Sequence, residues 1–224
     1  MRMKALRVEK QGLYDPAFEH DACGVAFVAR LDAQPTHEAV ARALTALENL
    51  EHRGAAGADA DTGDGAGILV QTPDAFLRAV AGLHLPPRGA YGVGVCFLPQ
   101  RASRRLELEQ LLEETVEAEG QTLLGWRDVP VDESVPGSGA RATMPVIRQL
   151  FIGHGNGDFE RALYAIRRRA ERGLGDVVAF PSFSSRTMVL KGMLGAPQLP
   201  RFYKDLCNPR FASALRVRSS WRSG

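Results

Sequence analysis

Apolar residues along this chain fall into two rhythms, one of period two or continuous, the other close to 3.6. The run Gly24-Val25-Ala26-Phe27-Val28-Ala29 is short, apolar and rich in strand formers, and it predicts a buried strand. Pro35 and Thr36 then signal a helix start, with Thr36 as the N-cap. Val40, Ala43, Leu44, Leu47 and Leu50 recur at helical spacing and predict a helix ending near Gly54. Five glycines between Gly54 and Gly67 predict a sharply turning loop, followed by a strand at Ile68-Leu69-Val70-Gln71.

Pro73 and Asp74 open a short helix running to Val80, and Pro86-Pro87 block any continuation. Tyr91 to Leu98 reads as a third strand, and Arg101 to Ala118 as an amphipathic surface helix carrying Leu108, Leu111, Leu112 and Val116. Trp126 to Ala142, with Pro130, Pro136, Gly137 and Gly139, reads as irregular. Met144 to Ile152 is strand-like, and Phe159 to Arg172 is helical through Leu163, Ile166 and Ala170. Val177 to Phe180 and Thr187 to Leu190 predict a hairpin, with a short helix near Leu199 to Leu206. Strands in consecutive pairs with helices between the pairs predict layered α+β packing, not a regularly alternating parallel sheet.

Composition narrows the function without naming it. The 224 residues suffice for one sizeable domain, and a formal net charge of +2 gives no reason to expect nucleic acid. Arg167-Arg168-Arg169 and the pair Arg216 and Arg218 read as solvated faces. No apolar run approaches the roughly 18–20 residues that span a bilayer, so no membrane partner is expected. Met1 to Ala22 is polar and lacks the apolar segment of a secretory signal. Three cysteines, Cys23, Cys96 and Cys207, without metal-ligand spacing, argue against a disulfide framework and a zinc site. A reducing, cytoplasmic setting is the expectation.

Three features carry candidate chemistry. Cys23-Gly24 opens the first strand, and Cys23 alone reads either as a small buried apolar side chain or as a nucleophile. Leu50-Glu51-His52-Arg53-Gly54 reads as a helix C-terminus, where His52 and Arg53 complement the helix dipole. Thr62-Gly63-Asp64-Gly65-Ala66-Gly67-Ile68 lacks the Lys-Ser/Thr ending of a phosphate loop and leads into a strand, so it reads as a glycine turn. Cys96 is expected in the core, and Cys207 in a polar loop.

Taken together, these blocks are more specific. Tyr14 to Val25 resembles the junction between propeptide and mature protein in the large subunit of the bacterial glutamate synthase family. Leu47 to Ala55, then Asp61 to Leu69, resemble its next two blocks, in order and at matching separation. Ser185 to Leu194 and Gln198 to Leu206 resemble two later blocks, and the likeness runs from about Gly12 to about Leu215.

The resemblance implies a class II glutamine amidotransferase domain with the N-terminal-nucleophile hydrolase fold, a four-layer αββα sandwich. It implies residues 1–22 as a propeptide cleaved between Ala22 and Cys23, with Cys23 as catalytic nucleophile and Arg53 supporting it. L-glutamine is the implied substrate, hydrolysed to glutamate and ammonia. Ammonia then meets 2-oxoglutarate in a separate synthase domain. No cofactor is expected in this stretch. FMN and an iron–sulfur cluster belong to downstream regions of the family enzyme, and FAD and NADPH to a small subunit.

The resemblance stops after Ser213-Ala214-Leu215. The family continues with an Arg-Phe-Ser-Thr block that holds the substrate carboxylate, an Asn-Gly pair for the oxyanion and an aspartate for the substrate amine. Residues 216–224 here read as a divergent tail, and the domain, residues 23–215, as incomplete at its C-terminus. Loss of one oxyanion donor costs ~10²–10³ in rate, so impaired activity is expected. A non-catalytic interaction module and a non-functional truncated product are the alternatives.

Overall fold

The computed structural model describes residues 24–50, 63 and 65–220. Among the described residues, eight strands form two four-stranded antiparallel sheets in a mixed α and β fold. In chain order the elements are β1 (Phe27–Ala29), α1 (His37–Glu48), β2 (Ala66–Gln71), α2 (Asp74–Val80), β3 (Tyr91–Leu98), α3 (Ala102–Ala118), β4 (Thr122–Asp128), α4 (Ser138–Ala142), β5 (Val146–Gly153), α5 (Phe159–Leu174), β6 (Ala179–Ser184), β7 (Thr187–Gly192), α6 (Gln198–Phe202) and β8 (Leu215–Ser220). The first sheet has the order β1-β8-β2-β7, the second β4-β5-β3-β6.

Two apolar cores follow from strand alternation. Tyr91, Val93 and Val95 of β3 and Ile147 and Phe151 of β5 share one core with Ile68 and Val70 of β2 and Met188 and Leu190 of β7. The facing surfaces of the two sheets therefore pack on each other. The intervening residues Cys96, Leu98, Leu150 and Ile152 join a second core with Leu108, Leu112 and Val116 of α3 and Leu163, Ile166 and Ala170 of α5. Each fully buried leucine or isoleucine contributes about 1.5–3 kcal/mol relative to exposure.

Local signals explain the helix starts. Thr36 Oγ1 accepts from Ala39 N at 3.2 Å, and Asp158 caps α5 by accepting from Arg161 N at 3.1 Å. α1 buries Ala39, Val40, Ala43 and Leu47, as the spacing predicts, but it ends at Glu48 with Asn49 as C-cap. Leu50 sits in the turn beyond, its N–H bonded to Leu47 O, so the expected helix to Gly54 is too long.

Four further expectations need correction. Residues 24–29 do not form a buried strand: β1 is three residues long, at a sheet edge, with Phe27 73% exposed. Trp126 is not in irregular chain but in β4, whose pairing with β5 shifts between Leu123 and Gly125. Gly125 has φ +140°, a conformation open to glycine, and the bulge it makes breaks the alternation that would reveal the strand. β6 and β7 are consecutive but make no hairpin, because the chain crosses from the second sheet to the first between them. Pro181 fits this arrangement, since β6 is an edge strand. Strands therefore do not pair consecutively in the first sheet, where β8 lies between β1 and β2 and takes in residues 216–220 of the expected tail.

Candidate active site

Cys23, Ala22 and Arg53 lie outside the described residues, as do His52 and Asp64. Gly24, covalently next to Cys23, is described and buried. The antiparallel registers then define how the described strands line up in the first sheet. Phe27 pairs with Val217, Ala66 with both Ser220 and Gly192. The start of β2 and the ends of β7 and β8 thus gather at one end of the sheet, and β1 starts three residues further in, level with Val217 and Leu69. β2, which carries Gly67, and β7, far apart in sequence, pair there in one ladder.

Glycine is required for that meeting. A Cβ on Gly63 would stand 2.4 Å from both Gly195 N and the Leu194 carbonyl carbon. On Gly67 it would come within 2.9 Å of Lys191 Cβ. The segment that receives these glycines is itself pinned. Tyr203, fully buried, donates its hydroxyl to Lys191 O at 2.7 Å, and Gln198 Oε1 accepts from Gly195 N at 2.7 Å. Burial pushes the Tyr203 phenol well above its ordinary range, so it stays a donor. The glycine stretch runs into β2, not into a helix, which agrees with the reading against a phosphate loop.

A cavity of about 200 Å³ opens beside the same segment, walled by Lys191, Met193 and Leu194 on one side and Phe97, Ile147 and Phe202 on the other. Its lining is mostly apolar, with Lys191 and Thr143 as the polar side chains, so it offers chiefly shape and water exclusion.

Sequence reasoning missed a group of buried polar side chains that reaches across the two sheets. Arg127 of β4 and Asp205 form a two-pronged ion pair at 2.8 Å and 2.8 Å, and Arg127 also donates to Gln149 Oε1 at 2.9 Å. Gln149, wholly buried, donates to Met188 Sδ at 3.2 Å across the two sheets. The only available signal was a charge set among apolar neighbours, as in Trp126-Arg127. Every member is paired, which makes the group a brace, not a proton carrier.

The described cysteines lack a nucleophile's setting. Cys96 is wholly buried, and desolvation, with Glu109 nearby, pushes its thiol well up. Cys207 is exposed, with its Sγ 3.4 Å from Pro200 O.

Comparison with known proteins gives this geometry its context. The family described as glutamine amidotransferases class-II matches residues 23–223, starting at Cys23 and continuing through the stretch expected to diverge. The glutamate synthase [NADPH] large chain of Bacillus subtilis (strain 168) is 46% identical over 216 residues, covering 92% of this chain and 14% of that protein. The ferredoxin-dependent glutamate synthase 1, chloroplastic/mitochondrial, of Arabidopsis thaliana is 41% identical over 225 residues, 95% of this chain and 14% of that one. The glutamate synthase [NADPH] large chain of Azospirillum brasilense is 39% identical over 228 residues, 96% and 15% respectively. The chain thus spans about a seventh of the length of these relatives.

Proposed function

We propose, from the premise that this chain belongs to the class II glutamine amidotransferases, that it is the glutaminase portion of a glutamate synthase. The observation that carries the reading is the family match beginning at Cys23, the residue that follows the junction-like stretch Tyr14 to Ala22. Two sheets packed on a shared core, with α3 and α5 on the second sheet, support assignment to the N-terminal-nucleophile αββα sandwich.

In this reading, cleavage between Ala22 and Cys23 frees an α-amine whose ordinary pKa is about 7.7–8.0. That amine takes the proton of its own thiol, whose ordinary pKa is about 8.5. The thiolate attacks the side-chain carboxamide carbon of glutamine. The C–N bond breaks, the nitrogen leaves as ammonia with the proton returned by the amine, and a γ-glutamyl thioester remains. Water then attacks the thioester, releasing glutamate and the thiol. With residues 1–22 attached, the base is an amide nitrogen with no useful basicity. Arg53 supports the Cys23 site.

Ammonia would pass to a synthase domain elsewhere in the longer protein, with 2-oxoglutarate as acceptor, and a small subunit would supply electrons. FMN and an iron–sulfur cluster belong to those other regions. Among the described residues, no group of three or more His, Cys, Asp or Glu is placed to hold a metal. No helix of the described residues is long and apolar enough to cross a membrane.

The test is intact mass followed by an ammonia-release assay with glutamine. Loss of residues 1–22 together with glutamine-dependent ammonia release is the expected result. A chain that keeps Met1 and releases none would sink the reading.

A further inference from the structure

β1, the strand next to Cys23, has one sheet neighbour among the described strands, β8. Its place is therefore set by whatever sets β8. The ladder between β2 and β8 runs from Ala66↔Ser220 to Val70↔Arg216 and stops there. Beyond it two reciprocal bonds take over. Gln71 N donates to Ser213 Oγ at 3.1 Å, and Ala214 N donates to Gln71 Oε1 at 3.1 Å. Ser213 is wholly buried, and its backbone exchanges two bonds with Thr36, each 3.3 Å. Ala214 O accepts from Arg30 N at 2.9 Å, one residue past β1. Residues 213 and 214 thus join the end of β1, the start of α1, the end of β2 and the start of β8.

We propose that Ser213 and Gln71 are positioning residues for Cys23, acting by fixing the register of β8 and, through it, of β1. This rests on the glutaminase reading above. A slip of one residue moves a strand by about 3.3 Å and turns its side chains to the opposite face. A reacting pair must approach to about 3–3.5 Å in alignment, so even a fraction of that slip is too large. A three-residue strand has too few ladder bonds of its own to hold such a tolerance, and the clasp at residues 213–214 supplies it from the neighbouring strand.

The test uses the full chain with Ser213→Ala, Gln71→Leu and Gln71→Glu. The last keeps the acceptor oxygen, the one Gln71 side-chain atom the clasp uses. Arg88, Arg210 and Asp74 line the same cavity as Gln71, two cations against one carboxylate. Hydrogen exchange is read by peptide, and glutamine turnover is expressed per Cys23 alkylated by iodoacetamide, counted by peptide mass so that the exposed Cys207 is left out.

For Ser213→Ala and Gln71→Leu, exchange should rise about tenfold or more in peptides covering 24–36 and 213–220, and stay unchanged in 91–98. Turnover per titrated site should fall about 10–100-fold, with KM within about twofold. Gln71→Glu should restore both readouts. Uniform acceleration in both sheets, or unchanged turnover per titrated site, overturns the proposal. A wild-type chain that releases no ammonia sinks the glutaminase reading and the positioning role with it, while exchange still decides the register claim.

Discussion

Arg127 and Asp205 meet side-on, two nitrogens facing two oxygens at 2.8 Å, with side chains only 9% and 5% exposed. The Arg127 guanidinium also lies 5.5 Å from the centre of the Phe76 ring. Removing one partner leaves the other charge buried. Asp205→Ala or Arg127→Met alone should cost about 3–5 kcal/mol in urea unfolding. The double variant Arg127→Met/Asp205→Leu should be less destabilised than the sum of the singles. Additive losses would show that the pair is not coupled.

Gly63→Ala places a methyl group 2.4 Å from backbone atoms that no side-chain rotation can move. A loss of about 1–3 kcal/mol is expected. Gly82→Ala would meet no atom within 4 Å, although its φ of +66° carries its own strain. Thermal melts of the two variants separate the causes: Gly63→Ala, whose Cβ clashes with the Leu194–Gly195 backbone, should also disturb exchange at residues 191–195, and Gly82→Ala should not.

Tyr91 and Tyr203 both have phenols raised above their ordinary value. Burial is the main cause in each, and at Tyr91 the bond to Asp74 adds to it. A group raised on folding contributes stability that is full below its unfolded pKa, about 10, and lost as pH rises beyond that. Stability should therefore fall with pH above about 10. Phenolate absorbance from these two residues should appear only with cooperative unfolding. Tyr203→Phe should weaken that alkaline dependence, which a pH series of urea melts measures.

Cys23→Ala should reduce glutamine-dependent ammonia release by about 10³-fold or more, as loss of a nucleophile does. Cys207→Ser should leave it within about twofold. Iodoacetamide should modify Cys96 only on unfolding, because its thiol is buried. Rapid modification of Cys96 in the folded chain would contradict the packing of β3 against α3 and α5.

Periodicity exposed the elements whose burial follows one face. β3 spans the Tyr91–Leu98 expected of it, and α2, α3 and α5 lie within two residues of expectation. It failed where backbone geometry interrupts the pattern, as Gly125 does in β4. It also failed where pairing is not local. Nothing in the stretch between Ser184 and Thr187 reveals that its two strands belong to different sheets, nor that β1 needs residues 215–217 as its neighbour. Cys23 and Arg53 came from ordered blocks resembling a family, because a lone cysteine at a strand start has no periodic signature. The Arg127–Asp205 brace depends on two side chains 78 positions apart, which no local window contains.

The place of β8 between β1 and β2 also sets a timetable for biosynthesis. A ribosome adding about 5–20 residues per second needs on the order of 10–40 s to go from Ala29 to Leu215. Throughout that interval β1 has no strand to pair with, and its apolar residues stay open to chaperones or to other nascent chains. Among the described strands, β1 is thus the first made and one of the last seated, because its neighbour β8 is the last to emerge.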